Sequence, residues 1–397
     1  MWGIAESNQS QDNGAASRCG ILATTTAILD AFSELNDCML RIRTMTIKQG
    51  RIDVHHHIIP PVYSDALYRH GLEAHAGAQL PKWTAQKSLD VMDVNGIQRA
   101  ITSLTTPGAH LGGGDGQAAS LARACNEYAA DLTARHPDRF GSFALLPLPF
   151  TEASCIEAAY ALDRLGADGV VVFGSSDGVF LGDPRFDELM VELNNRDAVI
   201  FVHPNLHKTS EQLDMQVPGF LVEFLCDTTR AAVNLLLTGT LDRYPRIRWI
   251  LAHSGGFLPY VAWRLVQLAT IQSLSVDVMA GVRRFYFDTA LSPSRYSMAA
   301  LKALVEPSHI LFGSDFPFAP APITTLQCQT LEENPMWSAQ QLYAIHRGNA
   351  LELFPHYRQQ GEQAVPETIY VDEPFSNRMR RTLSGPMGAI VERMRSR

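Results

Sequence analysis

Past residue 50 the chain alternates short runs of β-branched and apolar residues with longer stretches of helical spacing. Eight short runs stand out: residues 51–54, 100–104, 140–146, 169–173, 198–203, 248–253, 285–288 and 309–314. Between them, residues 85–95, 118–136, 151–165, 183–194 and 228–244 have the pattern of helices. Strand followed by helix, eight times over, predicts an α/β fold: a parallel (β/α)8 TIM barrel. Runs such as GVVVF and AVIFVH are apolar at nearly every position, which suits strands buried on both faces.

Both ends leave this pattern. Residues 9–17 are polar and rich in Gly, Ser and Asn, the composition of a disordered segment, and residues 21–42 have amphipathic spacing through Ile28, Ala31, Phe32 and Leu35. The start lacks the basic residues and long apolar core of a secretory signal, and Glu6 and Asp12 argue against a transit peptide. Residues 1–44 are expected to form an N-terminal extension, with Met45 as an alternative start. The catalytic barrel is expected at 45–358. A C-terminal tail at 359–397 ends in a short basic helix at 378–397.

Composition narrows the class. With 46% hydrophobic and 19% charged residues in 397, the chain is that of an ordinary globular protein, long enough for one large barrel. A net charge of −8 gives no basis for binding nucleic acid or an anionic membrane. No apolar run approaches the roughly 20 residues of a membrane span. The six cysteines are scattered without a CxxC pair, reading as buried thiols of a reducing compartment, by default the cytoplasm.

The chemistry sits at strand ends. The first run leads into RIDVHHHIIPP, where His55 and His57 are two residues apart and so share one side of a strand, with His56 on the other. Two imidazoles on one side of a strand make half of a metal site. In a (β/α)8 barrel the active site gathers at the C-terminal ends of the strands, so other runs should also end in metal-type ligands. They do: the fifth ends in His203 (IFVHPN), the sixth in His253 (ILAHSGG) and the eighth in Asp315 (ILFGSDFP). Buried separately, each would need its own partner; one divalent ion satisfies them together. Asp288 ends the seventh run and is a candidate supporting carboxylate. The GGGDG loop at 112–116 has no following GK[ST] and is no phosphate loop; it reads as a mobile loop near the barrel mouth.

In this order of ligands, and in the wording IDVHHHIIP, FVHPN, LAHSGGFLPYVAWR and LFGSDFPF, the chain resembles the amidohydrolase superfamily. The branch is that of aminocarboxymuconate-semialdehyde decarboxylase and the salicylate-type decarboxylases, over residues 51–354. RIDVHHHIIPPVY and WTAQKSLDVMDVNGI are most similar to the 6-methylsalicylate decarboxylases of fungal polyketide metabolism. The resemblance implies one divalent ion, zinc in most members and manganese in some, held by His55, His57, His203 and Asp315, with His253 beside it. The fourth run carries no lysine to bridge a second ion, so the site is expected to be mononuclear. Ser88 stands where the muconate-semialdehyde enzymes have a carboxylate-binding arginine. Arg264, eleven residues after His253, matches the second substrate-binding arginine, which in those relatives reaches into the neighbouring subunit and completes its site. One clamp fewer favours a substrate with a single carboxylate, and a homodimer or larger homo-oligomer is expected.

The expected reaction is loss of CO2 from an aromatic acid, 6-methylsalicylate giving 3-methylphenol, after protonation of the carbon that bears the carboxylate. Asp315 is the candidate proton donor, assisted by His253. Trp83, Phe316 and Phe318 are candidates to wall the ring. The alternatives are another 2-hydroxybenzoate or a muconate semialdehyde as substrate, a mononuclear lactone or amide hydrolase on the same scaffold, or a non-catalytic protein that retains the metal.

Overall fold

The computed structural model describes residues 50–210, 213, 216–360 and 362. The expected extension at 1–44, Met45 and the basic helix at 378–397 lie outside the described residues, as does most of the expected tail.

Eight parallel strands follow one another around a single sheet in chain order. They are β1 Arg51–His57, β2 Ile97–Ser103, β3 Phe140–Leu145, β4 Gly169–Phe173, β5 Val199–His203, β6 Arg248–Leu251, β7 Tyr286–Asp288 and β8 Ile310–Leu311. The sheet closes on itself. Val54 N–H donates to the Phe312 carbonyl at 3.0 Å, and Asp315 and His57 N–H groups donate to the carbonyls of His55 and Phe316 at 2.7 Å each. Every residue of β3, β4 and β5 is buried, as continuous apolar runs require. Inside the barrel Phe143 and Phe201 stack at 5.5 Å, and Phe201 meets the His55 ring at 4.8 Å, so the site rests on an aromatic floor.

The main helices around the barrel are α1 Pro61–Arg69, α2 Ala85–Val94, α3 Asp115–Arg135, α4 Thr151–Asp163, α5 Asp187–Asn195, α6 Glu223–Leu237, α7 Leu258–Ile271, α8 Arg295–Leu304 and α9 Ala321–Glu332. Local chemistry sets several starts: the Thr84 side chain caps α2 and the Ser294 side chain caps α8. The helix expected at 228–244 instead begins at Glu223 and stops at Leu237. Gly239, at φ 68, breaks it before a separate turn, Thr240–Arg243.

Two small ribbons have strands of only two residues: Ala74–His75 with Ala78–Gln79, and Ser175–Ser176 with Val179–Phe180. Beyond the barrel, Glu362 accepts from Arg347 Nε at 2.6 Å, and Arg347 Nη1 donates to the Gly50 carbonyl at 2.9 Å. That pair fastens the first part of the expected tail beside the entry to β1. No helix among the described residues is long and apolar enough to cross a membrane.

Candidate active site

The pleat of β1 sorts its three histidines. His56 takes the outer face, where its Nδ1 meets Asp53 at 3.1 Å and its Nε2 meets Ser88 Oγ at 2.9 Å. His55 and His57 point into the barrel mouth with their Nε2 atoms 3.1 Å apart. Asp315 Oδ1 lies 3.3 Å from the first and 3.2 Å from the second. With His203, these residues bring four ligand atoms within 4.8 Å of one another, and all four residues are buried.

Each imidazole is aimed from behind. His55 Nδ1 donates to Asp288 Oδ2 at 2.7 Å, His203 Nδ1 donates to the Pro204 carbonyl at 2.8 Å, and His57 Nδ1 pairs with Ser103 Oγ at 3.1 Å. A ring nitrogen that donates to a carbonyl or carboxylate leaves the other nitrogen as a lone pair, and here those lone pairs converge with a carboxylate. The electrostatics mark the same point. Burial opposes a charge on His55, but Asp288 and Asp315 overcome it and raise its pKa to about 10. Burial lowers His57, and burial with the neighbouring rings holds His203 well below the ordinary range. The Asp315 carboxyl is held well below its usual value against burial, by His253, His55 and His57. A positive charge is wanted there, and three imidazoles with one carboxylate fit a divalent ion.

Two of these residues have strained backbones. His253 sits at φ 54 and Asp315 at φ 61, in the left-handed region that side chains disfavour. His253 N–H is fixed by Asp288 Oδ1 at 2.9 Å, and Asp315 N–H by the His55 carbonyl at 2.7 Å. Asp288 thus orients a ring and pins a second strand end at once. Gly313 permits the close passage of the chain after β8: a Cβ there would stand 2.9 Å from His55 Cβ and 3.1 Å from Asp288 Cβ.

The cluster opens into a cavity of about 460 Å³. His203, His253 and Asp315 form its polar end. Thr105, Thr106, His75 and Ser292 add polar groups, and Leu67, Leu72, Leu80, Phe224, Leu291 and Phe318 supply much of the apolar wall. No lysine or arginine is among the described residues that line it. His253 lies 3.7 Å from Asp315 Oδ2, and neither of its ring nitrogens has a hydrogen-bond partner among the described residues.

The residues singled out in the sequence part company here. Phe318 lines the cavity with its ring 5.5 Å from that of His57. Phe316 packs on the outer side of β1, its ring 5.2 Å from His56. Trp83 donates from Nε1 to Ser88 Oγ at 2.8 Å, and Ser88 is engaged with His56; neither is among the cavity-lining residues. Arg264 lies exposed on α7 and is not among the residues that line this cavity. Sequence reasoning missed Asp53, whose carboxylate accepts from His55 N–H, Ser314 N–H and Ser314 Oγ at 3.1, 3.0 and 2.6 Å and so couples β1 to the Asp315 turn. A carboxylate inside an otherwise apolar strand was the available signal. It also missed Ser103 and the His75–Thr106 pair (3.1 Å), which no local pattern distinguishes.

Known proteins carry the same framework. The amidohydrolase family model matches residues 52–356. The decarboxylase yanB of Aspergillus niger is 38% identical over 335 residues, covering 80% of this chain and 91% of that one. The 6-methylsalicylic acid decarboxylase of Penicillium expansum is 35% identical over 322 residues, covering 78% and 97%. Among solved structures, an amidohydrolase II aligns with a TM-score of 0.73 at 33% identity, covering 77% of this chain and 99% of that one. A dihydroxybenzoic acid decarboxylase from Polaromonas, with bound manganese and the inhibitor 2-nitroresorcinol, aligns with a TM-score of 0.68 at 23% identity, covering 79% and 98%. The chain belongs to the amidohydrolase family, as one of its decarboxylases.

Proposed function

We propose that the protein removes CO2 from a hydroxylated aromatic acid without oxidation and with one divalent ion, and that the acid is 6-methylsalicylate, giving 3-methylphenol. The observation that carries this reading is the pairing of a buried three-histidine, one-aspartate cluster with a cavity whose described lining residues include no lysine or arginine. A carboxylate entering such a cavity meets no lysine or arginine among the described residues of this chain that line it and is received at the cluster. The choice of 6-methylsalicylate is supported by relatives of that activity at about a third identity.

His55, His57, His203 and Asp315 would hold the ion, which when bound supplies positive charge for the carboxylate and the neighbouring phenol oxygen. This donor set suits zinc, expected from the sequence, or manganese. The manganese of the Polaromonas enzyme weights the choice toward manganese.

Expelling CO2 directly would leave an aryl carbanion of prohibitive energy, so a proton must first reach the ring carbon that bears the carboxylate. Phe318 and the leucine wall would hold the ring against the polar end of the cavity. Asp315 is the donor expected from the sequence, and His253 Nε2 lies 3.7 Å from its Oδ2. In this reading the proton reaches the ring carbon through that pair, with His253 as its carrier, and CO2 leaves as aromaticity returns. Arg264, exposed on α7 beside Trp263, belongs in this reading to a contact with a second copy of the chain.

The test is incubation of metal-loaded protein with 6-methylsalicylate and with other 2-hydroxybenzoates, reading phenol and CO2. Formation of 3-methylphenol by the wild type and not by His203→Ala is the expected result. Turnover only of a different hydroxybenzoate would reject the assigned substrate, and turnover of none would reject the reaction.

A further inference from the structure

Resting on the decarboxylase reading, we propose that the substrates include 2-hydroxybenzoates whose ring carries an alkyl chain longer than methyl, and that the roof of the cavity is a binding site for that chain. The first observation is size. 6-Methylsalicylate has about eleven non-hydrogen atoms; even at the ~30 Å³ a whole water occupies, they would take at most about 330 Å³. The cavity measures about 460 Å³, so space for several further carbons remains beyond the ring.

The second observation is how the lining is divided. The ionisable groups of the metal cluster stand at one end, where a carboxylate and its neighbouring hydroxyl would bind. The roof is built by the ribbon of Ala74–His75 with Ala78–Gln79 and its flanks, where Leu72, Ala78 and Leu80 line the cavity; His75, on the same ribbon, also lines it, with Nε2 3.1 Å from Thr106 Oγ1. The ribbon is held in place from the segment after β5, through Phe220 N–H donating to the Ala76 carbonyl at 3.0 Å. The third observation is that the apolar lining does not stop at the rim. Phe220 and Leu221 line the cavity while 36% and 55% exposed, and Leu291 while 47% exposed. Large apolar side chains that line a cavity and reach its mouth offer surface that an apolar ligand would cover. A chain attached to the ring would run from the polar end along the roof and lie across these three residues.

The experiment compares kcat/KM for 6-methylsalicylate with that for its 6-propyl, 6-pentyl and 6-heptyl analogues, using the metal-loaded protein. Each methylene moved from water onto the apolar wall should raise kcat/KM by about threefold to fourfold until the chain reaches solvent. Leu80→Trp, and independently Ala78→Phe, would fill the roof and reverse the order, lowering the pentyl-to-methyl ratio at least about tenfold. Both positions are half-buried, and a ratio within one variant is insensitive to the folded fraction. Turnover of the methyl compound with flat or falling kcat/KM along the series would overturn the roof site and leave the decarboxylase reading standing. Turnover of no member would overturn that reading, and the roof site with it.

Discussion

Five ionisable side chains meet at the barrel mouth, and the proposed function divides them into ligands and a carrier, in keeping with what their far atoms touch. The three histidines of the cluster each have Nδ1 engaged, by Asp288, Ser103 or the Pro204 carbonyl. His253 has neither ring nitrogen hydrogen-bonded among the described residues, and its Nε2 stands 3.7 Å from Asp315 Oδ2. Two substitutions should therefore fail in different ways. His253→Gln should lower kcat by about 10²–10⁴ with metal content unchanged, the loss expected when a proton carrier is removed. Asp288→Asn should first weaken metal binding, by about 10–100-fold in competition with a chelator, because the carboxylate orients His55. Loss of metal from the His253 variant, or full metal affinity in the Asp288 variant, would contradict the division. The five were legible because each stands where an apolar run gives way to a turn; which four would hold the ion came from the resemblance. Phe316 and Ser88 were harder: they flank the same motifs, and only the pleat of β1 decides that they face His56.

Among the elements, the barrel strands were legible from their apolar runs, while the ribbons were not, since two residues are too few to show a period. The break at Gly239 was hidden because apolar spacing continues through it, and a left-handed glycine leaves no mark on periodicity. A buried carboxylate links three of these elements. Asp227 on α6 accepts from Ser175 Oγ at 2.6 Å and from Asn205 N–H at 2.8 Å, joining the second ribbon to the segment after β5. Burial raises its pKa to about 6, against those hydrogen bonds. Because the folded value lies above the unfolded one, near 3.9, the folded state favours the protonated acid. Its contribution is complete below about pH 4, is lost as pH rises through 6 and is constant above. The total is on the order of 3 kcal/mol. Asp227→Asn should remove that fall between pH 4 and 7 in denaturant midpoints; an identical slope in both proteins would contradict the assignment.

At the scale of the molecule, the (β/α)8 order was legible because eight strand–helix repeats leave few alternatives. Closure was part of that expectation, but the bonds that make it were not legible: the contacts that seal β8 to β1 are backbone bonds through residues 312–316, beyond the two residues of β8 itself. The seal and the site are one structure: the bond from Asp315 N–H to the His55 carbonyl both closes the barrel and places two ligands. Assembly is the remaining expectation at this scale. Tyr260, Trp263 and Arg264 are exposed on α7, and sedimentation should find at least a dimer that Trp263→Asp weakens; a wild-type monomer at micromolar concentration would contradict it.

The central claim is that one ion at His55, His57, His203 and Asp315 is required for decarboxylation. The direct measurement is to strip the protein with a chelator, then titrate manganese or zinc back while following CO2 release and bound metal together. Activity should be absent after stripping and should return in proportion to metal, reaching its plateau at about one ion per chain. Full activity in the stripped protein, or metal that binds without restoring it, would contradict the account.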